Sequence, residues 1–441
     1  MGTPSPNNVS TKQQRIATIA KQSPEMVITS LSHHIDIEWM KEAFQRTRKD
    51  GAPGVDGQTA EEYTVNLETN LTTLLNQAKS GTYRAPPVRR VDIPKGDGKT
   101  RPIGIPTFED KVLQRAVVMA LEPVYEEDFK PYSWGFRPGR SAHQALESFW
   151  TQMMGMKGGW VLEVDIKSFF DTLEHHHLRE MLKRRVHDGV VVRLIGKWLN
   201  AGVMRDGAVE RLGRGTPQGG VISPLLANIY LHEVLDKWFE AVVKPRLKGR
   251  AFMIRYADDF VIGFSEEEDA RRVKDVLPKR FGEYGLTIHP TKTRLVPFRP
   301  PRQEGGGGPP PGSFDLLGFT HYWALSRKGR WVIKRKTAKG RFKRALKAAT
   351  EWCRAAMHWP MAKQHKVLSR KLQGHYGYYG ITGNAVALDR FRSAVRRVWK
   401  RALGRRSQKP LRWARFAELE KVFRLPPAIA VHSTLRRVAN P

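Results

Sequence analysis

Residues 252–264 have the sequence FMIRYADDFVIGF, in which two apolar runs flank a short polar segment. Runs rich in β-branched and aromatic residues on either side of a polar tip predict a β-hairpin. Asp258 and Asp259 would lie at that tip, where adjacent carboxylates repel each other and contribute no packing. The pair therefore favours a site for divalent cations, which bind oxygen ligands.

Asp165 is the best candidate for a third metal ligand. It lies 93 residues before Asp258, near the end of the alternating run 160–166. Period-two alternation predicts a strand with Val161, Glu163 and Asp165 on one face. Polymerase-type nucleotidyl transfer uses two divalent ions about 3.5–4 Å apart, and three carboxylates on strands are a common minimum for such a site. The alternative is that Asp165 only caps the following helix.

The charge balance points to a polyanionic partner. The 441 residues include 76 Lys+Arg and 43 Asp+Glu, a net charge of +33. Between residues 327 and 415 there are 27 Lys+Arg and only two acids. A surplus of this size favours nucleic acid as the partner. Aromatic residues interleave with these cations, which favours RNA or single strands, although aromatics at helical spacing also suit a core.

Cysteine content and hydropathy exclude several other classes. Cys353 is the only cysteine, so we expect neither a disulfide framework nor a cysteine-based zinc site. No stretch approaches the ~20 apolar residues of a membrane span, and no secretion signal is evident. We therefore expect a cytoplasmic bacterial protein without membrane contact. The run His175–His177 does not predict a metal site either, because consecutive helical residues point in different directions.

Other polar and aromatic residues suit a nucleotide pocket around the acids. Lys95 and Arg101 flank the turn of a predicted hairpin over 89–106 and could bind triphosphate oxygens. Lys292 could neutralise phosphate near the acids. Phe169 follows Asp165 by about one helical turn and could press against the incoming sugar. The simpler alternatives are a solvated hairpin tip for the two cations and a core position for Phe169.

A glycine-rich loop completes the set. Residues 213–220 have the sequence GRGTPQGG, and glycine allows backbone to approach a ligand or a base pair closely. The alternative is an ordinary turn that leads into the helix predicted over about 223–239. Further helices are predicted over about 173–200 and 266–283.

Eight ordered blocks resemble the reverse transcriptases encoded by bacterial group II introns, also called intron maturases. The similarity spans about 36–400, and the form that it resembles lacks the endonuclease domain found in many relatives. The blocks are 51–57, 94–106, 135–141, 165–171, 215–228, Tyr256–Asp259, Lys292 and 317–319.

The resemblance implies an α+β right-hand fold with fingers, a palm built on an antiparallel sheet, and an α-helical thumb. It implies the following organisation: a partly disordered N-terminal arm (1–35), fingers and palm (36–299), a flexible Gly/Pro insert (300–313), a last palm hairpin (314–337), a helical thumb (338–403) and a short basic tail (404–441).

The resemblance also implies the chemistry. RNA would be copied into DNA, with two Mg²⁺ ions held by Asp165, Asp258 and Asp259. Gln218, Lys95, Arg101, Phe169 and Lys292 would bind the deoxynucleoside triphosphate.

Partners would be an RNA template, group II intron RNA and a DNA primer or target. The expected RNA-binding residues of the thumb are Arg390, Arg392, Arg396, Arg397, Lys400 and Arg401. Two alternatives stay open, a domesticated relative in defence or repair and a splicing-only maturase with an inactive polymerase.

Overall fold

The computed structural model describes residues 8–94, 100–205, 208–210, 213–215, 219–301, 311–406 and 411–432. By its internal contacts the chain divides into two compact units, Met1–Leu295 and Val296–Pro441. Both units mix helices with antiparallel sheet, in agreement with the predicted α+β class. In the described part of the chain, no helix is long and apolar enough to cross a membrane.

The first unit is mainly helical around two small sheets. Its α-helices are α1 (Val9–Gln22), α2 (Ile37–Arg46), α3 (Ala60–Thr64), α4 (Leu67–Ser80), α5 (Phe108–Asp128), α6 (Ala142–Gly155), α7 (Phe169–Thr172), α8 (His175–Lys183), α9 (Gly189–Asn200), α10 (Ser223–Leu231) and α11 (Glu267–Gly282). The strands are β1 (Val88–Pro94), β2 (Thr100–Ile105), β3 (Gly159–Val164), β4 (Val203–Arg205), β5 (Ala208–Glu210), β6 (Ala251–Tyr256), β7 (Asp259–Phe264) and β8 (Arg294–Phe298), the last of which spans the division between units.

One sheet has the strand order β2-β1-β4-β5, and the other has the order β6-β7-β3-β8. The predicted hairpin over 89–106 is present as β1 and β2, which pair from Arg89 with Ile105 to Pro94 with Thr100. In the second sheet β6 and β7 are buried along most of their length, and apart from Arg255 their buried side chains are apolar. Such largely apolar strands fix the sheet in the core and leave mainly its ends available for polar chemistry.

Helix α10 continues through two π-helical turns, at His232–Asp236 and Phe239–Val243. The prediction of one helix over 223–239 therefore holds in outline but misses these turns. By contrast, the helix predicted over 173–200 is two helices, α8 and α9, because Asp188 caps α9 by accepting hydrogen bonds from the amides of Val190 and Val191. A capping carboxylate favours a new helix start at this point.

The N-terminal segment differs from the expected arm. From Asn8 onward it begins with a helix, α1, whose Val9, Ile16 and Ala20 are buried and join the main core. The side-chain amide of Gln13 also donates to the Met119 carbonyl of α5, 2.8 Å away. Few apolar residues suffice because they recur at helical spacing on one face.

The second unit combines a three-stranded antiparallel sheet with a helical bundle. Its elements are β9 (Phe314–Leu316), β10 (Phe319–Leu325), β11 (Trp331–Thr337), α12 (Lys339–Ala355), α13 (Met361–Tyr379), α14 (Ala385–Leu403) and α15 (Trp413–Val422). The predicted hairpin over 314–337 is present, but it belongs to the same compact unit as the helices rather than to the preceding sheet. Most of the predicted insert, residues 302–310, lies outside the described residues.

The C-terminal segment is part of this bundle and is not a separate tail. Phe416 of α15 and Leu425 are buried in the same core as α13 and α14. Ile381 and His432 form a parallel β-bridge, in which the His432 amide donates to the Gly380 carbonyl at 2.8 Å. The expected boundary at residue 403 therefore cuts through a packed domain, because apolar side chains beyond it join the same core.

Candidate active site

The acidic pair lies where the sequence predicts it, at the end of a hairpin, but its two members are not equivalent. Tyr256 pairs with Asp259, so the connection is a two-residue loop of Ala257 and Asp258. Asp258 is therefore in the loop and half-buried, whereas Asp259 begins β7 and is exposed. Ala257 has a φ of 59°, a left-handed conformation that is uncommon for a residue with a side chain. Such strain is maintained only where the surroundings enforce it.

Asp165 lies at the same end of the sheet. Strand β3 pairs antiparallel with β7, and the last pair of their ladder joins Val164 to Phe260. Continuing this register by one residue brings Asp165 opposite Asp259. Asp165 is not a helix cap, since α7 begins four residues later and is preceded by Ser168 with a left-handed φ of 48°. The alternative interpretation of Asp165 as a capping residue is therefore wrong.

A neighbouring segment brings a cation to Asp165. The Lys292 ammonium lies 3.1 Å from Asp165 Oδ2. The His289 amide donates to the Asp165 carbonyl at 2.8 Å, and the Ile166–Ile288 bridge continues this pairing. Lys292 thus lies beside one of the three acids, and its contact with a phosphate stays a prediction.

Burial and neighbouring charges shape the electrostatics of Asp258. Burial raises the pKa of its carboxyl above the ordinary value, and the negative charge of Asp165 acts in the same direction. The guanidinium groups of Arg101 and Arg255 act in the opposite direction. A partly desolvated carboxylate beside a second negative charge is suited to a bound cation, which would relieve both effects on Asp258.

The donor set fits Mg²⁺ in ligand type. All three candidate ligands are carboxylates, the hard oxygen donors that Mg²⁺ prefers. Among the described residues, however, no three His, Cys, Asp or Glu side chains lie close enough together to surround a metal ion. The three acids therefore fit Mg²⁺ in ligand type and in their place at one end of the sheet. Their side chains do not surround an ion, and that of Asp165 contacts Lys292.

The sequence interpretation missed the buried charges that support this hairpin. The Arg255 guanidinium is fully buried and donates to both carboxylate oxygens of Asp236, at 2.9 and 2.5 Å. Its remaining bonds go to Asn228 Oδ1, at 3.0 Å, and to the Ala257 carbonyl, at 3.2 Å. A signal for this network was present in the sequence, because Arg255 interrupts an otherwise apolar strand.

Gly135 closes the hairpin from the other side. A Cβ atom at this position would lie 2.4 Å from the Ala257 nitrogen, so only glycine fits against the loop. The side-chain amide of Asn228 donates to the Gly135 carbonyl at 2.7 Å, and the backbone amide of Trp134 donates to the Arg255 carbonyl at 2.8 Å. The block 135–141 therefore includes a residue, Gly135, that packs against the acidic loop and supports it.

The predicted nucleotide pocket is described in part. Arg101 is on β2 and exposed. Phe169 is only 2% exposed and packs edge-on against Phe170 and Tyr230, as its core alternative predicts; contact with a sugar stays a prediction. Lys95 and Gln218 lie outside the described residues. Gly219, next to Gln218, has a φ of 125°, and a Cβ there would lie 2.6 Å from the Gly104 carbonyl oxygen of β2.

The predicted RNA-binding residues of α14 divide into two groups. Arg390, Arg397 and Arg401 are exposed. The others contact the C-terminal segment: Arg392 donates to the Pro426 carbonyl at 3.0 Å and Arg396 pairs with Glu420. Lys400 lies 4.6 Å from the centre of the Trp413 ring.

Comparison with known proteins identifies the class. Residues 93–321 match the family described as "Reverse transcriptase (RNA-dependent DNA polymerase)". The chain therefore belongs to the reverse transcriptases, which are RNA-directed DNA polymerases.

Individual relatives sharpen the relationship. Protein YkfC of Escherichia coli is 38% identical over 286 residues, which cover 58% of this chain and 75% of YkfC. Group II intron-encoded protein LtrA of Lactococcus lactis is 38% identical over 232 residues, 51% of this chain and 37% of LtrA. Nuclear intron maturase 2 of Arabidopsis thaliana is 29% identical over 231 residues, 43% of this chain and 30% of that protein. The expected relationship to group II intron proteins and maturases is confirmed, although this chain spans little more than a third of LtrA.

Proposed function

We propose that this protein copies RNA into DNA by two-metal nucleotidyl transfer, with Asp165, Asp258 and Asp259 as the ligands of two Mg²⁺ ions. The observation that supports the proposal is the register of β3 and β7, whose last pair joins Val164 to Phe260. Extended by one residue, this register would put Asp165 opposite Asp259. Asp258, in the adjoining loop, completes a set of three acids at one end of a rigid apolar sheet. Ligands on or next to rigid strands keep fixed positions, and nucleotidyl transfer requires such a fixed geometry of the reacting oxygens.

When bound, the metal pair would supply charge neutralisation for the attacking 3′-oxygen and the leaving pyrophosphate. The residues of the chain have separate tasks around it. Lys292 neutralises negative charge beside Asp165, and Arg101 adds positive charge on the side of Asp258. Lys95 and Gln218 complete the pocket in this proposal, and Phe169 limits the space at the sugar.

The basic second unit is proposed to bind group II intron RNA and thereby assist splicing and mobility. The similarity to intron-encoded and maturase proteins supports this, as does the surplus of positive charge between residues 327 and 415. Arg390, Arg397 and Arg401 are the best candidates on α14 because they are exposed.

The polymerase proposal is tested with an RNA template, a DNA primer, deoxynucleoside triphosphates and Mg²⁺. We expect Asp258→Ala and Asp165→Ala each to abolish primer extension while the thermal unfolding midpoint changes little. Asp275→Ala, an exposed acid on α11, is the matched control and should extend primers like the original chain. Primer extension that is absent from the original chain, or unchanged in Asp258→Ala, would contradict the proposal.

The intron proposal needs a separate readout. The full chain should bind a group II intron RNA more tightly than an unrelated structured RNA of equal length, at the same salt concentration. Equal affinities would leave polymerisation intact and reject the maturase role. A splicing-only maturase would bind the intron and yet fail in the extension assay.

A further inference from the structure

Arg255 is a fully buried charged residue of the acidic hairpin. Its side chain is 0% exposed, as is that of its partner Asp236. The two form a bidentate pair in which Nε and Nη2 each donate to a different carboxylate oxygen. This fork geometry fixes the guanidinium plane as well as its position.

A pair buried in this way is a weak source of stability. Removing two charges from water carries a desolvation penalty that their attraction only partly offsets, so apolar residues of similar volume often serve the fold equally well. The position of Arg255 within an apolar strand therefore calls for a different explanation, and its remaining hydrogen bonds supply one.

Those bonds lead directly to the loop that carries the acid. Arg255 Nη1 donates to the Ala257 carbonyl at 3.2 Å and to Asn228 Oδ1 at 3.0 Å. The Ala257 carbonyl belongs to the peptide unit that also contains the Asp258 nitrogen. Holding this carbonyl fixes the peptide plane from which the Asp258 side chain projects, because a peptide unit moves as a rigid plane.

Asn228 connects the two sides of the loop. Its Oδ1 accepts from Arg255, while its Nδ2 donates to the Gly135 carbonyl at 2.7 Å. Gly135 in turn lies against Ala257, where no side chain fits. The left-handed φ of Ala257, 59°, is thus enforced by Arg255 on one side and by the Gly135 backbone on the other.

We propose that Arg255 is a positioning residue that, held by Asp236 and Asn228, sets the orientation of the Ala257–Asp258 peptide and so the geometry of Asp258 as a metal ligand. This rests on the proposed two-metal site, and it assigns the buried pair to site geometry and not to stability. Arg255 itself contacts neither substrate nor the reacting atoms.

The test separates geometry from stability with the double substitution Arg255→Met/Asp236→Leu in the full chain. It removes both charges together and therefore leaves neither partner uncompensated. We expect an unfolding midpoint close to that of the original chain, a roughly 100-fold lower kcat for primer extension and little change in KM for the template. Mn²⁺ binding without nucleotide, measured from the electron paramagnetic resonance signal of free Mn²⁺, should weaken at least about tenfold, toward the level of Asp258→Ala.

A matched control is the double substitution Arg185→Met/Asp128→Leu. This pair is also largely buried, with side chains 8% and 16% exposed, and its contacts reach the N-terminal segment instead of the hairpin. It should leave Mn²⁺ affinity unchanged. Unchanged Mn²⁺ affinity and kcat in Arg255→Met/Asp236→Leu would overturn the proposal, and so would an equal loss of Mn²⁺ affinity in the control.

If the double variant does not fold, Arg255→Lys decides the question. Lysine keeps the charge beside Asp236 but lacks the fork that reaches Asp236, Asn228 and the Ala257 carbonyl together. Weaker Mn²⁺ binding at an unchanged unfolding midpoint supports positioning, and Mn²⁺ binding equal to the original chain overturns it. Mn²⁺ binding also distinguishes the two proposals, since it is measured even if the original chain extends no primer.

Discussion

The two units use arginine in opposite ways. In the first unit Arg255 is fully buried, has one carboxylate partner and reaches the acidic loop. In the second unit α14 carries arginines on its surface, where Arg390, Arg397 and Arg401 are exposed. A buried, hydrogen-bonded arginine fixes the orientation of the groups that it contacts. Exposed arginines create an electrostatic potential that grows with the number of charges and weakens as the salt concentration rises. A single substitution should therefore matter greatly in the first unit, and several together should matter moderately in the second.

The largest effect is expected from the apolar anchor of the second unit. Phe416 is 0% exposed and packs edge-on against Trp399 and Trp413. Phe416→Ala should destabilise this unit by about 3–5 kcal/mol, measured as amide hydrogen exchange in α14 and α15. On the same helix, Val422→Ala removes a side chain that is 74% exposed and should change stability by less than about 0.5 kcal/mol. Equal effects of the two would mean that α15 does not belong to the bundle.

A smaller loss is expected where the hairpin meets Gly135. The methyl group of Gly135→Ala would lie 2.4 Å from the Ala257 nitrogen, so the acidic loop has to move. A displacement of this kind should lower primer extension about 100-fold. Gly155→Ala, at a position with open space around a Cβ, is the control. Full activity of Gly135→Ala would show that the loop tolerates displacement.

The third effect is a dependence of stability on pH in the second unit. His321 of β10 stacks on Phe314, and burial, aided by the nearby Arg335, lowers its pKa to about 3. A histidine held neutral in the fold contributes stability that is present above its unfolded pKa of about 6.5 and is lost as the pH falls toward the folded value. Lowering the pH from 7 to 5 should therefore cost the second unit about 2 kcal/mol.

His321→Phe keeps an aromatic ring and should remove the part of this pH dependence that His321 contributes, measured by hydrogen exchange in β10 and β11. The part that His375 contributes should remain, because burial lowers its pKa to about 4. His358→Phe, at an exposed position of the same unit, should retain the full pH dependence. The same pH sensitivity in both variants would assign the loss to other groups.

The smallest effect concerns the exposed arginines. Combined Arg390→Glu, Arg397→Glu and Arg401→Glu should weaken RNA binding by about tenfold at moderate salt and reduce its salt dependence, with little change in stability. The control makes the same charge change on α11 of the first unit, through Arg272→Glu, Lys274→Glu and Lys279→Glu. Equal weakening by both sets would indicate a diffuse field and no RNA-binding face on α14.

The acids were predictable from sequence because their signals are local. Asp258 and Asp259 interrupt two apolar runs, and Asp165 ends an alternating run, so both strands and their polar ends follow from periodicity. The supports were not predictable in this way. Asp236 and Asn228 lie 19 and 27 residues before Arg255, and only the packing of α10 and its π turn against the sheet brings them together.

The ends of the chain illustrate the same limit. Helix α1 and the segment after α14 are polar in composition, yet each is fixed by a few apolar residues such as Ile16 and Phe416. The composition of a segment is an average over its residues. It does not show which side chains pack against other parts of the tertiary structure. The division of the α14 arginines has the same origin, since Glu420 is 24 residues away from Arg396.

The π turn at His232–Asp236 has an evolutionary consequence. Such a turn is equivalent to one residue inserted into an α-helix, and each residue of a helix rotates the following side chains by about 100°. A lineage without that extra residue would present a neighbour of Asp236, either Leu235 or Lys237, to the guanidinium of Arg255. Neither could replace the carboxylate. The inserted residue and the strand arginine should therefore have been acquired, and should be lost, together.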